Sequence, residues 1–158
     1  MIPLVVEWRH LAVEGETCER CSGTGANVRA AVAAMGSVLA LRGIALELRE
    51  TELPPGEIAH SNEVLIDGVP IETLLRGEVA ASACPSCADL VGAPCNCRTV
   101  KVGEEEFEEL PESLIAAAIM TAADRHRAGD DRTHQTGSRE NGDGGCGCSS
   151  GSDGSCCR

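Results

Sequence analysis

The chain has 158 residues, which is enough for one domain of ordinary size and a tail. Its 13 basic and 25 acidic side chains give a formal net charge of −12, which argues against binding to nucleic acid or to an anionic membrane surface. The sequence shows neither a long apolar stretch nor the features of a signal peptide, so we expect a cytoplasmic protein.

The first fifty residues predict a strand, a helix and a second strand. Residues 3–11 carry an apolar run and are predicted to form a largely buried strand. Apolar residues at spacings of three and four predict a helix over residues 26–42, because such residues share one helix face. Residues 44–48 alternate between apolar and other side chains, as in a half-buried strand. The short links imply a right-handed parallel crossover.

The next segment predicts a β-hairpin. Residues 64–66 form an apolar strand, and Asp67-Gly68 is a typical two-residue hairpin turn. Pro70 predicts that the returning strand lies at a sheet edge, because proline cannot donate a ladder hydrogen bond. We expect a helix over residues 72–82.

The last part of the domain predicts a cysteine-rich loop, a second hairpin and a helix. Residues 84–97 show no periodicity. Residues 98–102 and 107–110 are expected to pair around Gly103. A final helix is predicted over residues 111–126, with a proline at its first position.

The order of elements is β-α-β, then a β-hairpin, then a helix. This order predicts an α/β protein with a thioredoxin-like fold, a small mixed sheet and a Cys-rich loop insertion. Beyond residue 124 the chain has few large apolar residues, so it cannot bury enough surface to offset the entropy of ordering. We therefore predict a thioredoxin-like domain over residues 1–124 and a disordered tail, rich in Gly, Ser and Cys, over residues 125–158.

Ten cysteines without an export signal indicate metal binding or thiol redox chemistry rather than a disulfide framework. Cys18 and Cys21 form a Cys-x-x-Cys pair at the junction of the first strand and first helix, the redox position of the thioredoxin-like fold. We predict that Cys18 is the attacking thiolate and Cys21 the resolving thiol of thiol–disulfide exchange. This catalytic role requires both sulfurs to be accessible.

A second set consists of Cys84, Cys87, Cys95 and Cys97. Four thiolates so close in sequence can surround one tetrahedral ion, so zinc or another thiophilic metal is the expected cofactor. Two alternatives stay open. The set could form a second dithiol that relays electrons to or from Cys18 and Cys21, or a structural zinc knuckle that fastens a poorly packed loop.

A third set lies in the tail and consists of Cys146, Cys148, Cys156 and Cys157. Neighbouring thiols surrounded by Gly and Ser are flexible chelators, which suits soft metal ions. The alternative is a solvated terminus with no role.

Four segments in a fixed order carry a family resemblance, namely VEWRHLAVEGETCERC, SNEVLIDGVPIE, CPSCADLVG with CNCRTV, and LPESLIAAAI. Over about residues 3–120 the chain resembles a bacterial and archaeal family of thioredoxin-like proteins catalogued as domain of unknown function 2703. The resemblance implies a fold and a set of cysteines, but it does not reach the tail or supply a substrate. Thioredoxins carry a cis-proline before the third strand that orders substrate peptides and keeps metals off the dithiol. In this chain Asn62 stands at that position, which favours metal chemistry.

Three functions follow as hypotheses. The first is thiol–disulfide exchange through Cys18 and Cys21 with a thiol or disulfide partner. The second is binding or detoxification of a soft metal or metalloid such as Hg, As, Cu or Zn by the cysteine sets. The third is a non-catalytic interaction module built on a zinc knuckle. Contact between the first pair and the second set would favour a relay or a shared metal.

Overall fold

The computed structural model of the protein describes residues 1–135. In chain order the elements are β1 (Ile2–Leu11), α1 (Glu19–Ala40), β2 (Ile44–Leu53), a 3₁₀ helix (Pro55–His60), β3 (Glu63–Ile66), β4 (Val69–Pro70), α2 (Ile71–Leu74), β5 (Glu78–Ala83), α3 (Pro85–Val91), β6 (Asn96–Val102), β7 (Glu105–Phe107) and α4 (Glu112–Gln135). No helix within these residues is long and apolar enough to cross a membrane.

The first sheet is mixed and has the strand order β2-β1-β3-β4. β1 runs parallel to β2, as the predicted crossover requires, and antiparallel to β3. The turn between β3 and β4 has positive φ at both Asp67 and Gly68, which is the geometry that this residue pair favours. β4 lies at the sheet edge and contains Pro70, as predicted. The α/β class with a small mixed sheet is therefore confirmed, and the arrangement is consistent with a thioredoxin-like fold.

The prediction that the first helix starts at residue 26 is wrong, because α1 begins at Glu19. Gly23 and Gly25 suggested a later start, since glycine weakens a helix interior. Their role is instead close packing. A Cβ atom at Gly25 would overlap the indole ring of Trp8, and one at Gly23 would overlap the side chain of Glu109. The early start places Cys21 inside the first turn of the helix.

The segment after β4 also differs from the prediction. The helix expected over residues 72–82 is only the short α2, and β5 follows it as a strand. The Ala- and Glu-containing sequence of β5 has weak strand propensity, and its pairing with β6 overrides that preference. The stretch without periodicity contains α3, and the second hairpin strand is β7 rather than residues 107–110. β5, β6 and β7 form a separate antiparallel sheet with β6 in the centre.

The last helix, α4, packs beside α1 and contributes to the same core. Ile115, Ala118 and Ile119 are fully buried, as their spacing predicted. α4 continues to Gln135 and so passes residue 124. The division into a domain and a tail stays a prediction. The tail cysteines, Cys146, Cys148, Cys156 and Cys157, lie outside the described residues.

Candidate functional site

The first cysteine pair lies where β1 leads into α1. Cys18 is the N-cap residue of α1 and has extended backbone angles, whereas Cys21 belongs to the first helical turn. Both residues have a relative exposure of 0%. The expectation that their sulfurs are accessible is therefore wrong for this conformation. The cysteine-rich insertion contacts the N-terminal end of α1, and Ser61 of the loop before β3 contacts Cys21.

The second cysteine set is divided between α3 and β6. Cys84 is the N-cap residue of α3, and Cys87 lies in its first turn after Pro85. Cys97 lies in β6, and Cys95 directly precedes that strand. Three of the four cysteines are buried, and Cys95 is half-buried. The insertion thus directs a second group of thiols toward the core.

The two cysteine sets converge into one cluster, and this is the central feature of the site. The Sγ atoms of Cys18, Cys84 and Cys97 all lie within 4.8 Å of one another. Those of Cys87, Cys95 and Cys97 form another such group, so Cys97 belongs to both. Tetrahedral Zn–S bonds of about 2.3 Å separate two sulfurs by about 3.8 Å, so both groups are near the spacing of metal ligands. We call these five residues the thiol cluster.

This grouping differs from the set of four that the sequence indicated. Cys84 groups with Cys18 rather than with Cys87 and Cys95. Sequence spacing could not reveal this arrangement, because it depends on how the insertion folds back onto the β1–α1 junction. Cys18 of the first pair thus lies against the second set, and such contact is the arrangement expected for an electron relay or a shared metal.

Ser86 and Arg20 hold the two halves of the cluster together. The hydroxyl oxygen of Ser86 accepts a hydrogen bond of 2.9 Å from the backbone N–H of Glu19, so a residue of α3 caps the first turn of α1. The guanidinium of Arg20 donates to the backbone oxygen of Ala83 at 2.7 Å and pairs with Glu108 at 2.8 Å. Sequence reasoning missed Ser86, because the residue that it contacts, Glu19, is remote in sequence.

Ser61 is another residue that sequence reasoning missed. Its hydroxyl lies 3.2 Å from the Sγ of Cys21 and accepts a hydrogen bond of 2.9 Å from the backbone N–H of Leu11. Ser61 is fully buried, and the next residue, Asn62, has a positive φ of 63°. A polar side chain therefore faces Cys21 from the loop before β3. No motif in the sequence indicates this contact.

The electrostatics of the first pair are asymmetric. The hydrogen bond with Cys21, together with burial, raises the pKa of Cys18. The same hydrogen bond lowers the pKa of Cys21 against the opposing effect of burial, and Ser61 lowers it further. Cys21 is therefore the member of the pair that ionises more readily.

The thiols of the insertion are harder to ionise. Burial raises the pKa of Cys87 to about 12, and a hydrogen bond with Cys95 adds to this effect. Burial and hydrogen bonds with Cys87 and Cys84 raise the pKa of Cys97. Without a bound cation these two residues are protonated at neutral pH. A cation that binds them must displace protons.

A cavity of about 340 Å³ opens beside the thiol cluster. Cys84 is the cysteine that borders it, next to Arg20 and Ser86. Three carboxylate side chains also line the cavity, those of Glu19, Glu108 and Glu109. Its acidic wall favours the approach of cations over anions.

Comparisons with known proteins give a family model and a relative that match most of the chain. A family model described as "Domain of unknown function (DUF2703)" matches residues 4–119, which include all six cysteines of the described part of the chain. An uncharacterized protein of Archaeoglobus fulgidus is 33% identical over 116 residues, which cover 71% of this chain and 82% of the relative. No solved structure matches the chain.

Proposed function

The chain belongs to the DUF2703 family, and we propose that it is a binding protein for thiophilic metal ions. The observation that carries the proposal is the convergence of Cys18 with Cys84 and Cys97 in space. Thiolate sulfur is the ligand type that favours Zn(II), Cu(I) and similar ions over hard cations such as Mg²⁺.

Burial of the cluster supports metal binding more than exchange with a protein disulfide. Cys18, Cys87 and Cys97 have relative exposures of 0%, so a bulky disulfide has no access to their sulfurs in this conformation. A metal ion is small, and a closed shell of protein ligands is the usual form of a structural or storage site. The acidic cavity beside Cys84 offers such an ion an approach.

Metal analysis of protein purified without oxygen tests this proposal. We expect bound metal, and we expect metal-free protein to take up Zn²⁺ in competition with a chelator. The informative variant is Cys18→Ser, because Cys18 lies far from the second set in sequence. Its affinity should fall at least tenfold if Cys18 is a ligand, since removal of a ligand sulfur costs more than loss of a second-sphere contact. Absence of metal together with failure to bind any thiophilic ion would disprove the function.

The Cys18→Ser variant also distinguishes the proposed function from an interaction module built on a zinc knuckle. A knuckle of Cys84, Cys87, Cys95 and Cys97 alone would bind zinc equally well with and without Cys18. Ser22→Ala provides a matched control, because Ser22 lies in the same first part of α1 and is exposed. We expect it to bind metal like the parent protein.

Thiol–disulfide exchange is the second candidate function. The unequal pKa values of Cys18 and Cys21 favour it, because exchange needs one thiolate and one thiol. The hydrogen bonding favours Cys21 as the thiolate, whereas the sequence-based assignment gives that role to Cys18. Single serine variants decide between the two assignments. If Cys21 attacks, Cys18→Ser should accumulate a mixed disulfide through Cys21; if Cys18 attacks, Cys21→Ser should accumulate one through Cys18. Equal disulfide reductase rates for the parent and the double serine variant would eliminate exchange.

A further inference from the structure

We infer that the thiol cluster holds two divalent thiophilic ions that share the sulfur of Cys97 as a bridging ligand. This inference rests on the proposed function and deepens it. It assigns Cys18, Cys84 and Cys97 to one ion and Cys87, Cys95 and Cys97 to the other. The geometry that points to it is the overlap of two ligand groups at a single sulfur.

The shared position of Cys97 follows from its place in the fold. Cys97 lies in β6, the central strand of the second sheet, and is fully buried. The N-cap residues of α1 and α3, Cys18 and Cys84, supply the other sulfurs of the first group. The second group takes its other sulfurs from Cys87, in the first turn of α3, and from Cys95, directly before β6. Each group therefore has ligands from different elements and meets the other only at Cys97.

Charge balance favours two divalent ions. Five thiolates with two divalent ions leave a net charge of −1 on the cluster, whereas two monovalent ions leave −3. Uncompensated charge is strongly unfavourable in a buried site. Zn²⁺, Cd²⁺ and Hg²⁺ combine the required charge with an affinity for sulfur.

Cadmium NMR tests the bridge directly. The protein to use is the full-length chain with Cys146, Cys148, Cys156 and Cys157 changed to serine, so that the tail thiols cannot add ions. Metal-free protein is loaded anaerobically with ¹¹³Cd²⁺ and bound cadmium is counted per chain. We expect two ions and two ¹¹³Cd resonances. The β-protons of Cys97 should correlate with both resonances, and those of the other four cysteines with one each.

Two variants complete the test. Cys95→Ser should leave the resonance coupled to Cys18 and Cys84 in place, because Cys95 belongs to the second group. Cys97→Ser should shift or abolish both resonances. One ion per chain, or two ions that share no cysteine, would overturn the bridge while leaving the proposed function intact. Failure to bind any cadmium would overturn both.

Discussion

The hydroxyl of Ser61 and the sulfur of Cys21 lie 3.2 Å apart in the core, in a loop and a helix that are distant in sequence. The same hydroxyl accepts a hydrogen bond from the backbone N–H of Leu11 in β1. One serine therefore connects the loop before β3 to both elements that flank the first cysteine pair. This contact gives Cys21 a buried polar neighbour.

Ser61→Ala is expected to raise the pKa of Cys21 in the metal-free protein, because the hydroxyl stabilises the thiolate. It also leaves the buried N–H of Leu11 without its acceptor, which should lower the free energy of unfolding by about 1–3 kcal/mol. Thiolate absorbance during a pH titration measures the first effect, and urea unfolding the second. Ser61→Thr keeps a hydroxyl and should preserve the low pKa; an unchanged titration in the alanine variant would refute the contact.

Gly25→Ala is expected to destabilise the protein, because the added methyl group would overlap the ring of the buried Trp8. Overpacking of this kind lowers the free energy of unfolding by about 1–3 kcal/mol. Gly36→Ala is the matched control in the same helix, where a Cβ atom meets nothing within 4 Å. It should stabilise the protein by about 0.5–1 kcal/mol, since alanine favours a helix. Thermal unfolding of both variants provides the comparison, and a stabilised Gly25→Ala would contradict the packing.

Ser86→Ala should weaken the connection between α1 and α3. Loss of a helix-capping acceptor lowers the free energy of unfolding by about 0.5–2 kcal/mol, and the released N–H is that of Glu19. Because the cap lies between the two sources of cluster thiols, zinc should also dissociate faster when a chelator is added. Ser37→Ala, on the exposed part of α1, serves as the control. Identical dissociation rates for both variants would argue against a role for Ser86 in the site.

His10 should make the free energy of unfolding depend on pH. Its ring stacks on that of Trp8 with centroids 4.0 Å apart, and burial lowers its pKa below the ordinary value of 6.5. The folded protein therefore binds the proton less readily than the unfolded chain. Stability should be greatest above pH 6.5 and should fall as the pH drops from that value through the lower pKa of the folded state.

Urea unfolding followed by the fluorescence of Trp8, the single tryptophan, measures this effect above and below pH 6.5. His10→Gln should reduce the pH dependence, because glutamine does not titrate. His60→Gln should retain it, since the side chain of His60 is mostly exposed. A variant at residue 10 with the full pH dependence of the parent would assign the effect to another group.

Zinc loading should release protons at neutral pH. The pKa of Cys87 is raised to about 12 and that of Cys97 is also raised, so both are protonated before the metal binds. Apparent affinity should consequently increase with pH, by up to about tenfold per pH unit for each proton displaced. Titration calorimetry in buffers of different ionisation enthalpy counts these protons. Uptake of zinc without proton release would exclude Cys87 and Cys97 as ligands.

The first half of the fold could be predicted from the sequence because its signals are local. The apolar run of β1, the alternation in β2 and the Asp67-Gly68 turn each specify one element. The start of α1 could not be predicted, since Gly25 acts through its contact with Trp8 rather than through its helix propensity. β5 was missed because its strand character comes from pairing with β6.

The cysteines of the candidate site could be identified by residue type and spacing, but their grouping could not. The position of Cys18 between the first strand and the first helix is a local feature. Its closeness to Cys97 depends on the path of the whole insertion, which no spacing rule describes. Ser61 and Ser86 were missed for the same reason, because each acts on a residue that is remote in sequence.

The central position of β6 has a mechanical consequence. A cation bound by both Cys18 and Cys97 would join the start of α1 to the central strand of the second sheet and close the chain between them into a ring. Such a metal link reduces the conformational entropy of the denatured chain in the way a long-range crosslink does. Withdrawing the ion should therefore loosen β5, β6 and β7 together while the β1–α1–β2 unit keeps its shape, so that amide hydrogens of the second sheet exchange first.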